Sequence, residues 1–115
     1  MAGKAKPEVW TRERCFISEL LNDPGWPELS LARCRVEPGV TTELHTLDVT
    51  EFYVIEQGEG LMHLGDAEPF CVGAGDAVTI TQHEAQRITN TGKDDLVFLC
   101  VCTPRFLQDS YTSLE

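Results

Sequence analysis

The chain has 115 residues, of which 42% are hydrophobic, and no apolar stretch approaches the roughly 18 residues that span a bilayer. Its length predicts one domain, residues 1–115, which needs neither disulfides nor a structural metal to hold its core. Nine Lys and Arg against nineteen Asp and Glu give a net charge of −10, which repels nucleic-acid phosphates and anionic lipid. We therefore expect neither nucleic acid nor a membrane as a partner. The basic start, MAGKAKPEVW, has no apolar segment behind it, so a cytoplasmic location is expected.

In chain order, residues 1–10 predict a loose arm, and the Pro- and Gly-rich residues 22–28 predict a turn. Strands are predicted at 14–21, 29–37, 40–47, 50–57, 61–64, 68–72, 76–80, 86–91 and 94–103. Short strands with turn residues every eight to twelve positions are typical of an all-β sandwich or barrel. We expect a barrel core at about 29–103, with an N-terminal arm and strand at 1–28 and a C-terminal tail at 104–115.

The cysteines are odd in number and lack the CxxC spacing of a zinc or redox site. In a chain expected to be cytoplasmic they predict reduced core residues rather than disulfides. Cys100 and Cys102 share a strand face with Leu96 and Phe98, which favours packing, with the lining of a cavity as the alternative. The five positions are Cys15, Cys34, Cys71, Cys100 and Cys102.

Potential ligands are concentrated in one predicted hairpin, residues 39–60. The alternation of a strand places Glu43 and His45 on one face of the first strand, and Glu51 and Tyr53 on one face of the second. An imidazole and carboxylates therefore arrive from adjacent strands. We expect all four side chains to point into one cavity.

The spacing in this hairpin resembles the first motif of the cupin superfamily. That motif runs as Gly, five residues, His, one residue, His, three or four residues, Glu, six residues, Gly. In this chain Gly39, His45, Glu51 and Gly58 stand at matching positions, and Leu47 stands where the second histidine belongs.

A second stretch resembles the second motif of the same superfamily. That motif runs as Gly, five residues, Pro, one residue, Gly, two residues, His, three residues, Asn. Here Gly75 and Asn90 match, while Thr81, His83 and Gln86 replace the proline, the second glycine and the histidine. We expect His83 to be an exposed loop residue, with a replacement ligand as the alternative.

The resemblance implies a double-stranded β-helix, or jelly-roll barrel, with a central pocket. In typical cupins three histidines and one glutamate hold a divalent transition metal. The matching positions imply His45, Glu51 and Gln86 as metal ligands, for manganese, iron, zinc or nickel, whereas Leu47 cannot bind a metal. A barrel that has lost its metal is the alternative.

Two functions follow from this resemblance. The first is a metal-dependent enzyme of dioxygenase, isomerase or lyase type that acts on a small organic acid, enol or sugar, with Glu43 or Tyr53 as the catalytic proton carrier. Without a metal, Glu43 and Glu51 near His45 would raise the pKa of its imidazole, and a metal-free general acid or base is a further alternative. The second is a metal-free, non-catalytic protein that binds a sugar or metabolite as a sensor or accessory subunit.

We also expect a homodimer, because jelly-roll sheets leave edges that need protection and small cupins commonly pair through them. The predicted contact involves the N-terminal strand and the outer face formed by Val97, Leu99 and Val101.

Overall fold

In a computed structural model, which describes residues 2–115, the chain folds into two facing antiparallel sheets. The strands are β1 Val9–Trp10, β2 Phe16–Leu21, β3 Ser30–Val36, β4 His45–Leu47, β5 Thr50–Gln57, β6 Glu59–Leu64, β7 Phe70–Gly73, β8 Ala77–Ile80, β9 Gln86–Asn90, β10 Leu96–Thr103 and β11 Tyr111–Ser113. One sheet has six strands in the order β1-β2-β3-β10-β5-β8, and the other has five in the order β11-β4-β9-β6-β7. The predicted all-β class is confirmed.

The core lies between the two sheets because alternate residues of each strand are apolar. On β10 the inward side chains include Leu96, Phe98 and Cys102, all of them buried. β10 pairs with both β3 and β5, so it forms the centre of the larger sheet. The inner faces of β3, β5 and β10 thereby form one wall of the interior.

The turn between β5 and β6 requires glycine at position 58. Its φ is +91°, and a Cβ there would lie 2.7 Å from the carbonyl oxygen of Asp95. Any side chain would therefore clash with backbone in a conformation that L-residues rarely adopt. Gly58 connects strands of different sheets, because β5 belongs to the six-stranded sheet whereas β4 and β6 belong to the five-stranded one. The prediction that residues 39–60 form a hairpin of adjacent strands is wrong.

The predicted strand 40–47 is shorter than expected. Only His45–Leu47 forms a regular ladder, and Thr41 makes an isolated bridge to Thr89. The hydroxyl of Thr42 accepts the backbone N–H of Ile88 at 3.0 Å, so a side chain takes the place of a ladder acceptor. The strand consequently becomes regular only from His45 onward.

Both ends of the chain contribute strands. Within the arm, β1 pairs with the start of β2, so residues 1–10 are not wholly loose. The strand predicted from Arg14 begins at Phe16, because Arg14 has a φ of +67° and belongs to the preceding turn. In the tail, a short 3₁₀ helix, Gln108–Ser110, leads into β11, which pairs with β4.

All five cysteines are free. Cys15, Cys34 and Cys102 are buried and Cys100 is half-buried, as the core prediction requires. Cys71 is exposed, because it occupies an outward position of β7, and the core prediction is wrong there. Within residues 2–115 there is no helix with the length and apolar character needed to span a bilayer.

Candidate functional site

A cavity of about 660 Å³ opens into the space between the sheets. The exposed residues Lys6, Pro7 and Val9 of the N-terminal arm lie at its open end, and the buried residues Glu51 and Cys102 lie inside. Most of its wall is apolar. The apolar lining residues are Val9, Cys15, Ile17, Leu31, Ala32, Cys34, Leu47, Phe98, Cys100, Cys102 and Phe106.

His45, the first residue of β4, is 3% exposed and lines the cavity. Its Nδ1 lies 2.7 Å from the backbone carbonyl oxygen of Glu43. Because a carbonyl can only accept, Nδ1 carries the proton and donates, and Nε2 is left with a lone pair. The ring stacks on Tyr111 of β11, with ring centroids 4.5 Å apart.

Burial lowers the pKa of His45, an effect larger than the raising effect of the Glu43 carbonyl and carboxylate. The expected rise in its pKa is therefore wrong, because desolvation of the imidazolium outweighs the nearby negative charge. His45 is a neutral acceptor toward the cavity.

Glu51 and Gln86 are in direct contact. Gln86 Nε2 donates to Glu51 Oε1 at 3.0 Å, and the hydroxyl of Tyr53 donates to Gln86 Oε1 at 2.8 Å. The thiol of Cys102 lies 3.8 Å from the other Glu51 oxygen. Burial raises the pKa of Glu51 to about 7, and burial also raises the pKa of Tyr53 well above its usual value. His45 of β4 lies directly opposite Gln86 of β9. The imidazole of His45 is therefore near the amide of Gln86 and the Glu51 carboxylate that this amide contacts.

The Glu43 side chain does not line the cavity, contrary to the expectation from strand alternation. Position 43 precedes the regular part of β4, so the alternation does not extend to it. Its Oε1 accepts the hydroxyl of Tyr111 at 2.6 Å and lies 3.3 Å from Arg12 Nε. The hydrogen bond from Tyr111 is the main cause that lowers the pKa of Glu43. A catalytic role for Glu43 or Tyr53 stays a prediction.

Glu13 is a site residue that the sequence analysis missed. It lies in the turn between β1 and β2, where its backbone N–H donates to Thr11 Oγ1 at 3.3 Å and its carbonyl accepts Glu43 N–H at 3.1 Å. Its Oε1 lies 4.0 Å from His45 Nε2. Burial, and then the charges of Glu51 and Glu43, raise the pKa of Glu13 to about 7. No periodic pattern in the segment TRERC indicates that this carboxyl group turns inward.

The residues at the family's metal-ligand positions do not fit a transition-metal site. Leu47 is buried and apolar, and the amide oxygen of Gln86 already accepts from Tyr53. Only His45 and Glu51 remain as strong ligands of the usual four. No group of three His, Cys, Asp or Glu side chains anywhere in residues 2–115 could hold a metal ion. His83 is exposed on its loop, with a φ of +63°.

Two facing antiparallel sheets around an interior cavity define a small double-stranded β roll. Residues 32–102 match the family model of the cupin domain. This match covers more than half of the chain, and the chain therefore belongs to the cupin family. No curated protein sequence matches it significantly.

Solved structures agree on the fold. The chain is similar to an uncharacterized conserved protein with a double-stranded β-helix domain from Klebsiella pneumoniae, with a TM-score of 0.78, 17% identity, and coverage of 96% of this chain and 90% of that one. It is similar to the plu4264 protein of Photorhabdus luminescens, with a TM-score of 0.74, 23% identity, and coverage of 90% and 83%. It is also similar to oxalate decarboxylase from Bacillus subtilis, with a TM-score of 0.83, 20% identity, and coverage of 99% and 31%.

The chain spans about a third of the oxalate decarboxylase chains that it matches. The Bacillus subtilis decarboxylase contains Mn(II) centres. At these identities the likeness shows the shared fold.

Proposed function

We propose that this cupin is a metal-free binding protein that holds a small, mainly apolar molecule in its barrel. The observation that carries the proposal is the hydrogen-bonding state of Gln86. Its amide stands where the family has a metal-binding histidine, and it is bonded at both ends, to Glu51 and to Tyr53. An amide can donate and accept at once, so this chain uses the position to join two side chains.

The cavity supports a ligand rather than a filled core. Its volume of about 660 Å³ falls within the range of ligand pockets, roughly 300–1,000 Å³. Such pockets combine an apolar wall with a few placed polar groups. The polar side chains of the lining include His45, Glu13 and Glu51, together with charged residues such as Arg12 and Lys6. Aliphatic, aromatic and thiol side chains form most of the remaining wall. The apolar wall favours a ligand with a hydrocarbon or ring body over a sugar.

The decarboxylase neighbours do not favour the same substrate for this chain. Oxalate is a small dianion, and above a pH of about 7, where Glu13 and Glu51 are ionised, these carboxylates would repel it in a cavity where burial weakens the screening by water. Leu47 and Gln86 also remove two of the four ligands that could hold a metal to neutralise it. These differences support binding of another class of molecule.

The test uses N-phenyl-1-naphthylamine, an uncharged apolar fluorophore, in the presence of a metal chelator. We expect saturable binding of one probe per chain and at least about tenfold weaker binding to Ala32→Phe, since filling the cavity costs the probe its apolar contacts. Ala67→Phe, at an exposed turn alanine, is the matched control and should bind as the wild type does. No binding, or equal affinity in Ala32→Phe, would refute the proposal.

A further inference from the structure

Three groups of the cavity lining, His45, Glu13 and Glu51, each have at least one acceptor atom that receives no N–H or O–H donor from the described residues. His45 is only 3% exposed, and its unprotonated Nε2 makes no hydrogen bond within residues 2–115. The Glu13 carboxyl group likewise makes no hydrogen bond with any residue from 2 to 115. Its Oε1 lies 4.0 Å from Nε2 of His45. The second oxygen of Glu51 meets only the thiol of Cys102, at 3.8 Å. We call these three groups the acceptor cluster.

The donors nearby are already used. The hydroxyl of Tyr111 donates to Glu43 at 2.6 Å, and that of Tyr53 donates to Gln86 at 2.8 Å. The nearest cation, Arg12, has a largely exposed side chain, and its Nε lies 3.3 Å from the Glu43 carboxylate. Arg12 also lines the cavity, and its charge lowers the pKa of Glu13 against the larger raising effects of burial, Glu51 and Glu43. One guanidinium is therefore shared by Glu43 and Glu13, and no cation lowers the pKa of Glu51.

A buried acceptor without a donor is costly, and a buried carboxylate without a cation is more so, which is why burial raises the pKa of Glu13 and Glu51 to about 7. A bound cation would stabilise their ionised forms in place of these protons. A bound molecule lowers this cost most if it brings several N–H donors and a positive charge. A protonated primary amine brings three donors and one charge, a hydroxyl brings one donor, and a carboxylate brings none. The acceptor cluster is thus complementary to an ammonium group.

We propose that Glu13, His45 and Glu51 bind the ammonium group of a small amine whose apolar body fills the rest of the cavity. This inference rests on the proposed function, because it assigns the polar end of the same ligand. A divalent metal ion is the competing cation, and the acceptor cluster does not bring three ligands into metal-binding geometry.

Calorimetry with three probes of matched shape tests the inference: cyclohexylmethylamine, cyclohexylmethanol and cyclohexanecarboxylate, at one pH and ionic strength. We expect the amine to bind at least about tenfold more tightly than the alcohol, because charge-assisted hydrogen bonds replace neutral ones, and the carboxylate to bind most weakly. Glu13→Gln should reduce the amine-to-alcohol affinity ratio to below about threefold, because loss of the carboxylate charge weakens binding of the amine more than binding of the alcohol. Glu68→Gln, which removes an exposed carboxylate, should leave the ratio unchanged.

The outcomes separate this inference from the function on which it rests. Equal affinities for amine and alcohol, or a preference for the carboxylate, would overturn the ammonium site, while binding of the naphthylamine probe would still support an apolar binding protein. Tight binding of Mn²⁺ alone that is lost in Glu13→Gln would also overturn it. If Glu13→Gln no longer binds the alcohol either, we take the variant to be misfolded. The ratio of amine to alcohol affinity in the wild type then decides.

Discussion

At the scale of residues, this chain differs from the two cupin motifs at two metal-ligand positions, Leu47 in the first motif and Gln86 in the second. Leu47 packs with Val49 and Cys102 in a small apolar cluster, so a ligand position has become part of the core. Gln86 is buried and joins Glu51 to Tyr53. The spacing of the motifs still matches the fold. At these two positions, however, Leu47 packs in the core and Gln86 forms hydrogen bonds.

The residues His45, Glu51 and Gln86 could be placed together from sequence because their spacing follows two motifs and the strand period. Glu13 and Tyr111 could not, because each reaches the site from a segment without a periodic pattern. The pKa of His45 was predicted with the wrong sign, because burial of a side chain depends on the whole barrel and cannot be read from its neighbours in sequence.

The raised pKa of Glu51 gives a pH dependence of stability. Its pKa is about 7 in the folded chain against about 4.5 for an unperturbed glutamate, so the folded state holds the proton more tightly. The contribution of Glu51 to the free energy of unfolding therefore falls as the pH rises from about 4.5 to about 7, by about 3 kcal/mol in the limit. Glu51→Gln lacks this titration.

We expect Glu51→Gln to be more stable relative to wild type at pH 8 than at pH 5, by about 1–3 kcal/mol in urea unfolding. The exposed variant Glu68→Gln is the control for the loss of one negative charge. A stability difference for Glu51→Gln that is the same at both pH values would contradict the burial of Glu51 as an acid.

At the scale of elements, long apolar-rich strands were predictable and the ends of the chain were not. β5 has the predicted bounds, 50–57, because its aromatic and β-branched residues alternate without interruption. β1 and β11 have two and three residues, too few for a period to show. Both exist because they pair with β2 and β4, which is a tertiary effect. β11 nevertheless supplies Tyr111 to the site.

The outer face of β10 carries the proposal of a homodimer. Val97, Leu99 and Val101 are half-buried and point away from the core, and the face continues across β3 and β5. β1 lies at the edge of the same sheet, so the N-terminal strand and this face belong to one surface. The neighbouring residues that extend it are Leu31, Phe52 and Val54.

We predict a dimer by light scattering at micromolar concentration, and a monomer for Val101→Glu. Val101 lies opposite Leu31 and Phe52, so a carboxylate there loses its hydration without gaining a partner, whereas Leu99 lies opposite Arg33. Thr112→Glu introduces the same charge at an exposed position of the other sheet and should remain dimeric. A monomeric wild type, or a dimer unaffected by Val101→Glu, would remove the proposal.

At the scale of the whole molecule, the fold was predictable because cupin motif spacing and strand period agree along most of the chain. The family match to residues 32–102 confirms it. The cavity was less predictable, since its lining combines the arm, four strands of the larger sheet, β4 and the tail. Which ligand a barrel accepts depends on that lining, and so a shared fold does not transfer a neighbour's activity.

The most direct test is elemental analysis and Mn²⁺ titration of the untagged protein beside the double variant Leu47→His, Gln86→His. We predict less than about a tenth of a metal ion per wild-type chain, and metal binding in the double variant, because it regains the three histidines and one glutamate of the family. One tightly bound metal per wild-type chain, lost in His45→Ala, would contradict the metal-free account.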